Sequence, residues 1–245
     1  MTTRSRRDPY GGQDPRELPA YTPTIAVHCV KLSEKTLRAW AFGRSFRVSS
    51  GVTSTPPLIR AADPQRHLLS FANLLELHVL RGIRRDHDVQ MRRIRQALDT
   101  LARSFPSPHP LVDREMETDG VDIFTEQYGS LINLSQHGQL AMKAVFEAHL
   151  RRIERDAAGS PIRFFPFTRP LSAAAIAGVA PIEQPKFITI DPRVAFGRPV
   201  IAGTRIPTAE VAERFNAGDL NMDIAADYEC PASQIEEAIR WERAA

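Results

Sequence analysis

The sequence predicts a mainly α-helical fold with small β elements. Three features carry that expectation. Apolar residues recur at three- and four-residue spacing in several segments, the sign of one buried helix face. Stretches suited to strands are short and interrupted by proline. Ser, Asn, Gly and Pro stand where helices would start or stop. The chain has 245 residues, 42% hydrophobic and 25% charged. That length corresponds to about one to two domains with a buried core.

Residues 1–20 hold Arg4, Arg6 and Arg7 among Gly and Pro and show no periodicity, so a flexible tail is expected. Thr24–Trp40, "TIAVHCVKLSEKTLRAW", reads as two short helices about a tight turn. Ile25, Ala26 and Cys29 would face the partner helix. Ser33 precedes the second helix and can accept from its free N–H groups. Leu37 and Trp40, three apart, share the inward face. Glu34, Lys35 and Arg38 are then left outward, with Thr36 beside them. A DNA-reading helix needs that division between a packed side and a basic side.

Residues 44–70 are rich in Val, Thr, Ser and Pro and are expected to form short strands. A hairpin over 58–71 would turn at Asp63-Pro64-Gln65. Residues 71–85 predict a buried helix through Leu74, Leu75, Leu77, Val79 and Leu80. Residues 89–104 carry the stripe Ile94, Leu98 and Leu101, which packs within the chain or pairs with a second copy. "FPSPHP" ends that helix. In the middle, "DIFTEQYGSLINLS" predicts short strands, "QLAMKAVFEAHLRRIERD" a helix and "RFFPF" a closing strand. The Ala- and Pro-rich residues 168–186 predict a linker. The last block opens on the strand "FITI" and runs through "DPRVAFGRPVIAGTRIP" into helices at 209–217, 222–228 and 231–243. Gly218 is placed as a C-cap, Asn221 as an N-cap and Pro231 as a first helical residue.

The net charge of +3 conceals a polarity. Residues 1–105 hold 18 Lys and Arg against 9 Asp and Glu, residues 106–205 hold 11 against 11, and residues 206–245 hold 3 against 9. One end suits a polyanion and the other is repelled by it. Lys35, Thr36, Arg38 and Ser33 are therefore expected at DNA, with Arg44, Arg47, Arg60 and Arg66 at phosphates, which fix register without reading sequence. A helix pair of this kind reads DNA as a dimer.

No catalytic constellation emerges. The seven histidines are scattered and the two cysteines, Cys29 and Cys230, are far apart, so neither a metal nor a cofactor is expected. Asp113, Glu115, Glu117, Asp119 and Asp122 read as a solvated strand and turn. The apolar run "AAAIAGVA" is too short to span a bilayer. A reducing, cytoplasmic setting without a membrane follows.

Two resemblances add to this. "YTPTIAVHCVKLSEKTLRAW" resembles the first helix pair of MerR-type regulators, in which a wing follows, here assigned to 58–71. Lys31 stands where those proteins usually have glycine and Val27 where they have alanine. Residues 187–244, most specifically "GRPVIAGTRIP", resemble domain-of-unknown-function family 433, a compact helix-turn-helix-like bundle. Ala202 stands where many relatives have arginine. In that loop Thr204 can bond its own backbone and Arg205 can clamp a carboxylate.

Taken whole, residues 21–245 resemble long VapB-type antitoxins. Besides the tail at 1–20 and the linker at 168–186 read from composition, the resemblance implies a winged helix-turn-helix domain at 21–105, an α+β middle segment at 106–167 and the C-terminal module at 187–245. It further implies a non-enzymatic repressor of its own operon and a cognate PIN-like ribonuclease toxin. The acidic end would meet that toxin, with Arg198, Thr204, Arg205, Glu210, Glu213, Asp223 and Asp227 as candidate contacts. The alternatives are a stand-alone MerR-like regulator and a ribonuclease using Asp119 or Asp122.

Overall fold

The structure, a computed structural model, describes residues 8–48, 51–84, 91–113, 116–131, 135–172, 174 and 182–243. Helices dominate, and the described strands form small two-stranded antiparallel sheets. Arg4, Arg6 and Arg7 of the expected tail lie outside the described residues, as does Glu115. Residues 8–20 lie along the molecule: the Ala20 and Tyr21 N–H groups both donate to the Leu69 carbonyl, and Glu17 meets His109 at 2.9 Å.

Helix α1 (Pro23–Val30) starts where its sequence permits. Thr22 is its N-cap, and Pro23 occupies a first-turn position that needs no N–H. It stops at Lys31, which is left-handed (φ 52°, ψ 43°). Helix α2 (Glu34–Phe42) begins on the Ser33 cap and ends at Gly43. Strands β1 (Arg44–Val48) and β2 (Gly51–Thr55) follow at once, with Arg44 opposite Thr55 and Val48 opposite Gly51. A Cβ on Gly43 would sit 2.7 Å from the Thr55 carbonyl oxygen, so the returning strand needs glycine there.

The two-stranded hairpin is thus at 44–55, not over 58–71. Asp63 and Leu68 do exchange both backbone bonds, at 3.0 and 2.9 Å, around the expected turn. The ladder goes no further because Leu69 pairs with Tyr21 instead.

Helix α3 (Phe71–Arg84) is buried on every side through residue 82, so its polar residues need partners. Asn73 binds the Ala62 and Ser70 N–H groups and the Arg60 carbonyl. Glu76 meets His109 at 2.9 Å, and His78 meets the His149 carbonyl at 3.1 Å. Helix α4 (Met91–Ser104) buries Ile94, Leu98 and Leu101 within its own chain, so that stripe is not free for a second copy.

The segment expected as strands is α5 (Val121–Leu131), preceded by a wide helical turn over Met116–Gly120. Val121, Phe124 and Thr125 are its buried face, a helical spacing that its β-branched and aromatic content obscured. Helix α6 (Gln136–Leu150) is capped by Ser135. Strands β3 (Ile153–Arg155) and β4 (Pro161–Phe164) form a hairpin, and Phe164 bridges to Ile190. Buried Arg152 binds the carbonyls of Phe165, Pro166, Gln184 and Pro185, which ties together the two ends of 168–186. Burial brings its pKa down to about 10.

Residues from Tyr21 to Phe164, with Ile190, share one apolar core, and no break falls at 105. A second core holds Ile188, Ile201, Val211, Ile224, Ile235, Ala238 and Trp241. It is built by β5 (Ile188–Thr189), β6 (Val200–Ile201), α7 (Thr208–Ala217), α8 (Asn221–Asp227) and α9 (Ala232–Arg243). Gly218 is the left-handed cap of α7. Asn221 is the first residue of α8 rather than its cap, which is Leu220 with no side-chain bond. Pro231 stands just before α9 instead of opening it. Among the described residues no helix is long and apolar enough to cross a membrane, and no cluster of His, Cys, Asp and Glu could hold a metal ion.

Candidate nucleic-acid interface

The packed side of α2 is Thr36, Leu37, Trp40 and Ala41. Ala26, Cys29 and Val30 are the buried residues of α1 beside it, while Ile25 is 43% exposed rather than turned to the partner helix. The opposite side of α2 carries Lys35 and Arg38, both exposed. The Arg38 guanidinium lies 2.7 Å from Glu34 one turn back, with nearly half of its side chain in water. An exposed pair of this kind adds little stability, about 0.3–0.5 kcal/mol, so Arg38 exchanges partners cheaply.

Ser33 caps α2 as expected, whereas Thr36 is turned inward rather than set beside Lys35 and Arg38. Thr36 is 7% exposed, and its hydroxyl lies 2.7 Å from that of Ser33. The Ser33 oxygen accepts the Thr36 N–H at 3.3 Å. Both hydroxyls serve the cap of α2, because the third helical position faces back over the first turn. Ser33 is exposed, whereas Thr36 is buried.

Beyond α2, Arg44 and Arg47 are exposed on β1. Their odd spacing puts them on opposite faces of the hairpin. Arg60 and Arg66 are exposed in the 58–69 loop, where the Arg66 N–H is held by Asp63 at 2.9 Å. Residues 33–66 hold six cationic side chains against two acidic ones, Glu34 and Asp63. Such a surplus on consecutive elements favours a phosphate backbone.

At the other end of the chain, Glu210, Glu213 and Asp223 are exposed, as are Arg198 and Arg205. Thr204 is occupied: its hydroxyl donates to the Ile201 carbonyl at 2.8 Å and accepts the Ile206 N–H at 3.0 Å. The loop therefore bonds itself. Asp227 and Asp219 each hold Arg214 at 2.6 Å, so Asp227 shares one cationic partner with Asp219. The structure brings Arg205, Thr204 and Ala202 to one cleft with Arg163, Thr189 and Asp191. Asp119 is exposed, and Asp122 pairs with Lys143 across the surface.

Sequence reasoning missed what joins the two ends. The Lys31 ammonium stands 4.2 Å from the centre of the Trp241 ring, and the His28 ring meets Trp241 edge-on at 4.3 Å. Burial lowers the Lys31 pKa to about 8 and, with Lys31 beside it, lowers His28 to about 4. A left-handed lysine costs ~1 kcal/mol relative to glycine, and a partly desolvated cation–π contact offsets a cost of that size. No local pattern signals this contact, since Lys31 and Trp241 are far apart in sequence.

Comparison with known proteins agrees with the two end regions. Residues 19–98 match a family described as "Putative DNA-binding HTH domain", and residues 188–241 match "Protein of unknown function (DUF433)". A curated relative from Mycobacterium tuberculosis, named "Putative antitoxin VapB45", is 27% identical over 242 residues, covering 91% of this chain and 93% of its own length. The crystal structure of Rv2018 from the same organism shares the fold, with a TM-score of 0.59 at 20% identity over 91% of this chain and 98% of that one. The chain is thus similar at its two end regions to a family described as a DNA-binding helix-turn-helix domain and to family 433, and along most of its length to a protein named as an antitoxin.

Proposed function

We propose that the chain is a cytoplasmic, dimeric antitoxin of the VapB type. It binds operator DNA through α2 and the β1–β2 hairpin and so represses its own operon. It neutralises a cognate PIN-like ribonuclease toxin through the acidic bundle at 187–245. The observation that carries the DNA half is the outward placement of Lys35 and Arg38 on a helix whose other side is packed. The toxin half rests on the relative's name and on charge: Glu210, Glu213 and Asp223 are exposed and would be repelled by phosphate. Arg198 and Arg205 remain candidate contacts at the loop.

The test is a fluorescence-anisotropy titration of the full chain against the duplex upstream of its own reading frame and against an unrelated duplex. Operator binding predicts tighter association with the first and an affinity that falls steeply with salt. Equal affinity for both duplexes rejects it. Co-expression with the neighbouring reading frame separates the antitoxin from a stand-alone regulator, because only the antitoxin copurifies with a nuclease and suppresses its RNA cleavage.

A further inference from the structure

We infer that the C-terminal bundle is a brace for the DNA-reading helix pair, holding α1 at both of its ends. At the start of α1, the Tyr21 hydroxyl donates to the Gly197 carbonyl at 3.0 Å. A Cβ on Gly197 would lie 2.1 Å from that hydroxyl oxygen, so the loop closes on Tyr21 as only glycine allows. Gly197 is also left-handed, with φ at +78°. Nearby, the Tyr10 hydroxyl donates to the Pro192 carbonyl at 2.8 Å. The glycine of "GRPV" is thus explained by a contact outside its own module.

At the end of α1, Lys31 and His28 close on the Trp241 ring. Lys31 Nζ also lies 3.3 Å from His28 Nδ1. Trp241 is fully buried and sits in the bundle core with Ile235, Ala238 and Ile239, so it is a fixed wall rather than a mobile side chain. Helix α9, which carries it, is itself anchored. Its Glu237 is bound by Thr168 and by Arg169, the latter at 2.8 Å. Helix α1 in turn packs with α2 through Ala26, Cys29 and Val30. Removing the bundle would uncover Tyr21, His28 and Lys31 together. The bundle therefore sets the angle at which α2 is presented. Its effect on DNA rests on the reading proposed above; the bracing itself does not.

Amide hydrogen exchange on the full chain tests the brace directly. Tyr21→Phe removes only the hydroxyl bonded to Gly197 and leaves the packed ring and the bundle core untouched. A hydroxyl that mattered only to the 192–197 loop would change exchange there alone. The brace predicts exchange across 24–42 faster by about threefold to tenfold. Trp241→Leu is expected to speed the same amides by about tenfold or more, with Trp241→Phe close to wild type. Slower or unchanged exchange across 24–42 in Tyr21→Phe overturns the proposal, as does a Trp241→Leu effect confined to α7–α9. The same variants are titrated with the upstream duplex, and affinity is expected to fall in step with the exchange rate. If wild type ignores the duplex, the DNA reading fails while the exchange data still decide the brace.

Discussion

Helix α2 and helix α7 each belong to a short helix pair packed on an apolar core, yet their outward faces differ in sign. Lys35 and Arg38 face water on α2, and Glu210 and Glu213 face water on α7. Similar architecture therefore says little about the partner. The charges on the unpacked side distinguish the two faces, since phosphate favours a basic surface and is repelled by an acidic one.

The largest break of this contrast is the double variant Lys35→Ala with Arg38→Ala. Two contacts worth about 1–3 kcal/mol each are lost, so operator affinity should fall by roughly a hundredfold or more in an anisotropy titration. Thermal denaturation should be unchanged, because both residues are exposed. Retained affinity would mean that α2 is not the reading helix.

Next in size is a stability effect that belongs to the basic half alone. His109 lies between Glu76 and Glu17, each at 2.9 Å. Burial opposes its charge, but the Glu17 and Glu76 carboxylates outweigh burial and raise its pKa to about 10. Burial pushes the Glu76 carboxyl up as well. His109→Gln leaves Glu76 buried without its counter-charge and should cost about 3 kcal/mol in urea unfolding at neutral pH. A group whose folded pKa is raised stabilises fully below its unfolded value. The difference between wild type and variant should therefore be greatest near pH 6.5 and vanish as pH rises through about 10. Lys31, with its lowered pKa, works in the other direction, and comparison with the variant removes it. A difference independent of pH across that window would rule out a charged His109.

The acidic face yields a smaller effect. Glu210→Lys with Glu213→Lys should weaken capture of the co-expressed toxin by about 1–2 kcal/mol in calorimetry, with operator affinity equal or slightly improved. Undiminished capture would move the toxin surface away from α7. The smallest change sharpens the contrast. Glu34→Gln frees Arg38 from its neighbour and removes a negative charge from the outward face of α2. Operator affinity should rise about twofold to fivefold, most clearly at low salt. A fall would show that Glu34 orients Arg38 for binding.

Much of the local structure was legible. Leu37 and Trp40 announce the packed face of α2, Ser33 its cap and Gly218 the end of α7, because each acts within one helical turn. Helix α5 was not legible, because Val121, Ile123, Phe124 and Tyr128 favour strands by composition, while the burial of Val121, Phe124 and Thr125 follows helical spacing. The hairpin was misplaced because Asp63-Pro64-Gln65 is the stronger turn signal, whereas Leu69 is taken by Tyr21. Among the site residues, Lys35 and Arg38 could be read as outward by elimination. Thr36 could not, because its hydroxyl is claimed by Ser33 in space.

The sequence by itself determined where most helices begin and end, that Leu37 and Trp40 of α2 turn inward, and the opposite charge of the two ends. These follow from neighbours three or four residues apart and from composition. Only the tertiary structure decided that Trp241 closes on Lys31, that Gly197 closes on Tyr21 and that His109 is held between Glu17 and Glu76. Contacts between distant residues depend on how whole elements pack, and local propensity carries no information about that distance.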